Sequence, residues 1–305
     1  MTVQEQTAHV DAARLPNLII AGVPKAGTTS LFWYLGQHPD VCPSSVKEID
    51  YFSSLHRDGG TLPPISIYQS YFAHCGDERY RLEASPAYSY GGEVVRAAIR
   101  TTLPRARIIL ALRDPAVRLW SAYTFQKSMG RLRGEQTFAT FLASCERADG
   151  RGQTTPLSVG FYWEYVTRWL DEFGDDVTLV FAEHLFERPR AVMASLCGRL
   201  GIDPGAAERL DYHPRNPTVR PRSRLLGRTA YSLKHISDRA LLRRPAARAV
   251  FRGAYRRVNT RTLDEHLPAH VRAELAGRYR RSNMLLAQRL TELGHDDLPA
   301  WLRSA

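Results

Sequence analysis

At 305 residues, 44% apolar and 24% charged, the chain has enough apolar surface for one large α/β domain of ordinary core depth, and its composition excludes a fibre or a disordered polymer. The formal net charge of +11 rests on arginine, since Lys25, Lys47, Lys127 and Lys234 are the only lysines, and it favours anionic partners. No run of about 18 apolar residues occurs and the polar start lacks the apolar stretch of a signal peptide, so the expectation is a cytoplasmic protein without a membrane span.

Residues 1–14 read as a flexible tail, and a single domain is expected over 15–305. Leu18 to Val23 (LIIAGV) is a continuous apolar run, the pattern of a strand buried on both faces of a parallel sheet. A helix follows in TSLFWYLGQ, closed by Gly36 and Pro39. Cys42 and Cys75 are met next, with Cys145 and Cys197 further on. They form no C-x-x-C pair, so they are expected to be reduced, buried thiols with neither a zinc site nor a redox motif.

The strand-turn-helix grammar returns at RIILALRDPAVRLWSAYTFQ, with Ile108–Leu112 as strand, Asp114 as N-cap and Pro115 at the first helical position. A helix over about 161–173, a strand over 177–183 and a helix over 189–200 complete the alternation. Strands alternating with helices predict a three-layer αβα, P-loop-like fold with a central parallel sheet. Residues 214–257 then carry twelve arginines and Lys234 against Asp238 alone, which predicts a basic lid or insert over 214–267. Leu275, Tyr279, Leu286 and Leu290 at helical spacing predict a C-terminal helix within 268–305, ending near Gly294, so the whole is an α/β fold with a basic helical C-terminal extension.

The segment Gly22-Val23-Pro24-Lys25-Ala26-Gly27-Thr28-Thr29 joins a buried strand to a helix, where backbone N–H groups and a helix N-terminus can cradle an anion. Two glycines stand at P-loop spacing, yet Thr28 occupies the place of the Walker lysine and Lys25 lies inside the loop. That displacement removes the usual arrangement for ATP and magnesium. It leaves a single cation, loop N–H groups and the Thr28 and Thr29 hydroxyls, which suit a phosphosulfate and require no metal.

PKAGTTSLFWYLGQHPDV resembles the 5′-phosphosulfate loop of sulfotransferases, particularly the heparan sulfate N- and 3-O-sulfotransferase branch and its bacterial relatives. The likeness continues through KEIDYFS, EASPAY, ILALRDPAVRLWSAY and FYWEYVTRWLDEFG, over about 15–200. It implies an enzyme that moves a sulfuryl group from 3′-phosphoadenosine 5′-phosphosulfate to a hydroxyl or amine of a carbohydrate, lipid or natural-product acceptor. The donor would be bound by Lys25, Ala26, Gly27, Thr28, Thr29 and Ser30. The resemblance also implies that Arg113 and Ser121 hold the 3′-phosphate, and it makes Arg222 the choice from a basic loop that clasps the donor.

The attacking group must lose a proton, and the resemblance places Glu48 of KEIDYF as the base, with Lys25 the second catalytic residue. A free glutamate titrates near pH 4.3, so efficient base catalysis would require the pocket to raise its carboxyl, which the sequence does not show. Asp50, His56 and His74 are the rivals. Ala84 stands where the heparan sulfate branch has lysine, and the neighbouring Glu83 argues for a neutral or cationic acceptor. Two other functions compete: a P-loop nucleotide kinase or hydrolase, and an anionic-polymer-binding protein built on the arginine-rich segment, though no specific nucleic-acid partner is expected. The oligomeric state is open.

Overall fold

The computed structural model describes residues 15–57, 60–132, 136–213 and 266–304, together with the backbone of 219–221 and 260–262. The described residues fall into two compact units. One lies within Met1–Asp114, Phe161–Arg215 and Arg278–Ala305, the other within Pro115–Gly160 and Asn216–Gly277.

The first unit is built on five parallel strands: β1 (Leu18–Gly22), β2 (Val41–Pro43), β3 (Tyr80–Ala84), β4 (Arg107–Leu112) and β5 (Val177–Phe181), in the order β2-β3-β1-β4-β5. β1 is central, and Leu18, Ile19, Ile20 and Ala21 are wholly buried, as an unbroken apolar run requires. Its helices are α1 (Thr28–Leu35), α2 (Ser54–Arg57), α3 (Ile65–Ser70), α4 (Gly92–Thr102), α7 (Trp163–Phe173), α8 (Ala182–Glu187) and α9 (Pro189–Leu200). In α7, Val166, Trp169, Leu170 and Phe173 bury one face at helical spacing, and each such side chain contributes about 1.5–3 kcal/mol.

The expected C-terminal helix is α10 (Ala269–Glu292), followed by α11 (Ala300–Arg303). Its later turns belong to the first unit, where Leu286 and Leu290 enter the core and Arg289 pairs with Asp171 of α7 at 2.9 Å. Ser282 Oγ accepts the Trp163 N–H at 3.1 Å, and the Phe161 and Tyr279 rings meet at 4.8 Å. Expected strands and helices therefore stand within a residue or two of their places, and the αβα parallel-sheet fold is the one observed.

The second unit contains α5 (Pro115–Ser128) and α6 (Phe138–Asp149), joined by a cluster of Trp120, Tyr123, Phe138 and Phe141. Arg118 is buried there and donates to the Pro156 carbonyl. Of the expected lid over 214–267, the described part includes an antiparallel pair of β6 (Val219–Pro221) with β7 (Thr260–Thr262).

One expectation fails outright. Cys42 and Cys75 form a disulfide, because β2 and the turn after α3 bring their Cα atoms to 5.8 Å. Only Cys145 and Cys197 are free, and both are buried. His74 Nε2 lies 3.5 Å from Cys42 Sγ, so the three potential ligands are close, but the bridge uses both sulfurs.

Candidate active site

Ligands in a parallel α/β sheet bind beyond the carboxyl ends of the strands, and the backbone ladder assembles the candidate residues there. Val23 N–H continues beyond β1 onto Ala111 O of β4 at 2.8 Å, which fixes the start of the anion loop. On the other side Ser44 N–H bonds Leu82 O and Glu48 N–H bonds Ala84 O, each at 2.9 Å, so the KEID loop runs along the end of β3. Gly22 is required at the exit of β1, since a Cβ would collide with the Ser89 side chain and stand 3.0 Å from Pro86 O.

Gly27 caps α1 at φ 86° without a side-chain partner, and the first intrahelical bond of α1 runs from Leu31 N to Gly27 O at 3.0 Å. The N–H groups of Thr28, Thr29 and Ser30 precede that bond and have no intrahelical acceptor, so they are positioned to face an anion. Ala26 N–H differs: it closes the turn onto Val23 O at 3.4 Å. The Thr28 side chain is buried, while those of Thr29 and Ser30 are half-buried.

Three non-glycine residues among those described have positive φ: Lys25 at 71°, Glu48 at 65° and Asp50 at 56°. The left-handed conformation costs an L-residue roughly 1–2 kcal/mol, and its restriction to the loop lysine and the two rival carboxylates marks one strained site. Burial, aided by the Arg113 guanidinium, pulls the Lys25 ammonium from 10.5 down to about 8, while Glu48 acts in the opposite sense and Lys47 in the same sense as Arg113. Lys25, Arg113, Glu48 and Lys47 therefore share one electrostatic neighbourhood.

Arg113 Nη1 donates to Lys25 O at 3.2 Å, tying the end of β4 to the loop. Its own carbonyl accepts from Tyr162 OH at 2.7 Å, and Asp114 N–H, one residue on, bonds Glu183 Oε1 at 2.8 Å. The sequence reading missed Tyr162, Glu183 and Phe186. Phe186 is exposed and stands against Gly27 and 5.8 Å from the Arg113 guanidinium, a contact that no local pattern in HLFERP announces.

Glu48 is 56% exposed on its side chain and its Oε1 pairs with Lys47 Nζ at 2.6 Å, so the described residues do not enclose it. Asp50 accepts from Ser53 Oγ at 3.2 Å at the start of the turn Tyr51–Ser53. His56 is exposed on α2, and His74 lies beside the disulfide at 3.1 Å from Pro43 O. Ser121 lies half-buried on α5, in the second unit, and Arg222 falls outside the described residues.

Glu83 corrects a second expectation. It is fully buried beneath Tyr68, Tyr88 and Ser85, and Ala84 is buried too, so its charge is not presented to an acceptor. A cavity of about 350 Å³ lies instead along β5, lined by Thr178, Phe181, Arg188, Ser195, Arg199 and His295 among others, and by none of Lys25, Glu48 and Arg113.

The arrangement is that of a P-loop-like protein whose anion loop carries its cation inside the turn. The family model for the sulfotransferase domain matches residues 15–216. Over 203 residues the chain is 31% identical to the human bifunctional heparan sulfate N-deacetylase/N-sulfotransferase 2, covering 63% of this chain and 22% of that one. Over 114 residues it is 40% identical to the membrane-associated sulfotransferase kil1 of Dictyostelium discoideum, covering 36% and 23%. It thus spans between a fifth and a quarter of the length of these relatives. The solved sulfotransferase of Alicyclobacillus acidocaldarius shares the fold, with a TM-score of 0.64, 24% identity and coverage of 94% of this chain and 98% of that one. The chain belongs to the sulfotransferase family, whose members use 3′-phosphoadenosine 5′-phosphosulfate as sulfuryl donor.

Proposed function

We propose that this chain transfers the sulfuryl group of 3′-phosphoadenosine 5′-phosphosulfate to a hydroxyl or amine of a carbohydrate, lipid or natural-product acceptor, with Lys25 and Glu48 as catalytic residues. The observation that carries the reading is the desolvated Lys25 ammonium, held beside Arg113 at the mouth of the anion loop. Two cations brought together out of water are stabilised by an anion between them, and the donor supplies one.

In the proposed reaction the acceptor oxygen or nitrogen attacks sulfur, its proton passes to Glu48, and the bond from sulfur to the bridging phosphate oxygen breaks. The bridging oxygen leaves with the electron pair, and Lys25 stabilises the charge that develops there. Because Glu48 is exposed, the bound acceptor itself would exclude water from it. The loop N–H groups and hydroxyls of Thr28, Thr29 and Ser30 would hold the 5′ end, and Arg113 the 3′-phosphate. The chemistry asks for no metal, so turnover should persist in excess chelator; a loss that magnesium restores would contradict this.

Sulfated product, detected as a mass shift across a panel of neutral sugars, lipid alcohols and amines, tests the reaction and identifies the acceptor. Glu48→Gln should lower turnover by roughly 10²–10⁴-fold with donor affinity unchanged. If Asp50→Asn or His56→Ala is crippling and Glu48→Gln is not, the base is another group. No described helix is long and apolar enough to cross a membrane. The Cys42–Cys75 bridge favours an oxidising compartment over the cytoplasmic placement expected from the sequence, and titration of free thiols in protein isolated under alkylation tests whether the bridge is formed.

A further inference from the structure

β3 ends in a buried carboxylate that the proposed reaction does not use. Glu83 is 0% exposed, and its Oε1 accepts from Ser85 Oγ and Tyr88 OH, each at 2.7 Å, while Oε2 accepts from Tyr68 OH. Burying a carboxylate costs several kcal/mol unless its lone pairs are used, and an apolar side chain would fill the same space without that cost. The three donors account for its tolerance in the core. What they do with their remaining atoms points to its use.

Once the Ser85 proton is committed to Glu83, its oxygen is turned toward the KEID loop, where it accepts Asp50 N–H at 2.9 Å. Tyr88 repeats the pattern, giving its proton to Glu83 and accepting Phe52 N–H at 3.2 Å. Tyr68, the third donor, stacks its ring on Tyr51 at 4.2 Å and an interplanar angle of 2°. One carboxylate thus orients three hydroxyl groups, and through them Asp50, Tyr51 and Phe52 are fixed. Immediately before them Glu48 is pinned by its N–H to Ala84 O, and both Glu48 and Asp50 hold left-handed backbone that needs external support.

We propose that Glu83 is a positioning residue: through Ser85, Tyr88 and Tyr68 it holds the Glu48–Phe52 turn in the strained conformation that presents the Glu48 carboxylate at the end of β3. The inference rests on the assignment of Glu48 as base. A packing role alone would lower stability and leave turnover per folded molecule intact. Positioning lowers kcat and leaves the donor KM in place.

Two variants test it. Glu83→Gln keeps the volume but offers an NH₂ where one acceptor stood, so it cannot receive all three donors; Ser85→Ala removes one link without touching Glu83. Each should lower kcat of folded protein by roughly 10- to 10²-fold, with the donor KM within threefold. Deuterium exchange at the Asp50 and Phe52 amides should quicken in Glu83→Gln and at Asp50 in Ser85→Ala, with Val23 unchanged in both. In a Glu48→Gln background, Ser85→Ala should cost less than threefold, because the group it positions is already gone.

If Ser85→Ala costs the same factor with and without Glu48, or the Asp50 amide exchanges as in the wild type, Glu83 does not act through this turn. If Glu48→Gln alone leaves turnover intact, it is the base assignment that has failed, and the exchange rates still decide whether Glu83 holds the loop. Should Glu83→Gln not fold, Ser85→Ala decides alone.

Discussion

Lys25 combines three costs in one residue: a left-handed backbone, partial burial and a neighbouring guanidinium. Lowering its ammonium from 10.5 to about 8 corresponds to a penalty on the order of 3 kcal/mol for keeping it charged at neutral pH. The sign follows from the direction. The unfolded chain binds the proton more tightly, so the ligand-free protein gains stability as pH rises through the window from about 8 to 10.5, where the folded form has shed it. In the proposed reaction catalysis runs the other way, since it needs the ammonium. The donor kcat/KM should fall about tenfold per pH unit above roughly 8, while kcat, reporting the complex in which the donor's charge holds the proton on, falls only at higher pH. Calorimetry at pH 8 in buffers of different ionisation enthalpy should show proton uptake when 3′,5′-adenosine bisphosphate binds. A kcat/KM flat to pH 10, or binding without proton uptake at pH 8, would remove Lys25 from the anion site. Lys25→Ala should lower turnover by about 10²–10³-fold with the fold intact, and turnover within threefold of wild type would remove its catalytic role. This residue was legible as a scarce lysine inside an anion turn. The exposure of Glu48 was not, because a four-residue motif does not say whether its neighbours close over it.

Among the elements, β1, β4 and β5 were legible as apolar runs, whereas β2 and β3 were not. β2 is three residues long and β3 reads YRLEA, whose Arg81 and Glu83 break any apolar run; Glu83 is accommodated in the core only because Tyr68, Tyr88 and Ser85 come to it from elsewhere. The disulfide was hidden for the same reason. Cys42 and Cys75 are 33 residues apart, and only the pairing of β2 with β3 and the return of the chain after α3 make them neighbours. Closing a loop of that length should stabilise the fold by about 3–4 kcal/mol on the chain-entropy scale. Urea unfolding of the wild type in reductant should therefore match that of a Cys42→Ser/Cys75→Ser double variant, with both less stable than the oxidised protein. A midpoint indifferent to reductant would mean that the bridge carries no stability or does not form.

For the molecule as a whole, the net charge of +11 suits an anionic donor, and the family assignment supplies its class, but the charge alone would equally suit a nucleic acid or a nucleotide triphosphate. What would separate these is the proposed second anion site, for which Arg113, bound to the Lys25 carbonyl and with its own carbonyl held by Tyr162, is the candidate. The central claim is that Lys25 and Arg113 bind a nucleotide carrying phosphates at both its 5′ and 3′ positions. Thermal unfolding with added nucleotides tests it most directly, because a ligand held only by the folded state adds RT ln(1 + [L]/Kd), about 2.7 kcal/mol at 100 times Kd. The account predicts that 3′,5′-adenosine bisphosphate raises the melting temperature well above 5′-AMP or ATP at equal concentration. It also predicts that Arg113→Ala reduces the bisphosphate shift by a larger factor than the 5′-AMP shift, bringing the two close together. Protection by ATP equal to that by the bisphosphate, or an Arg113→Ala variant weakened equally for both, would contradict it.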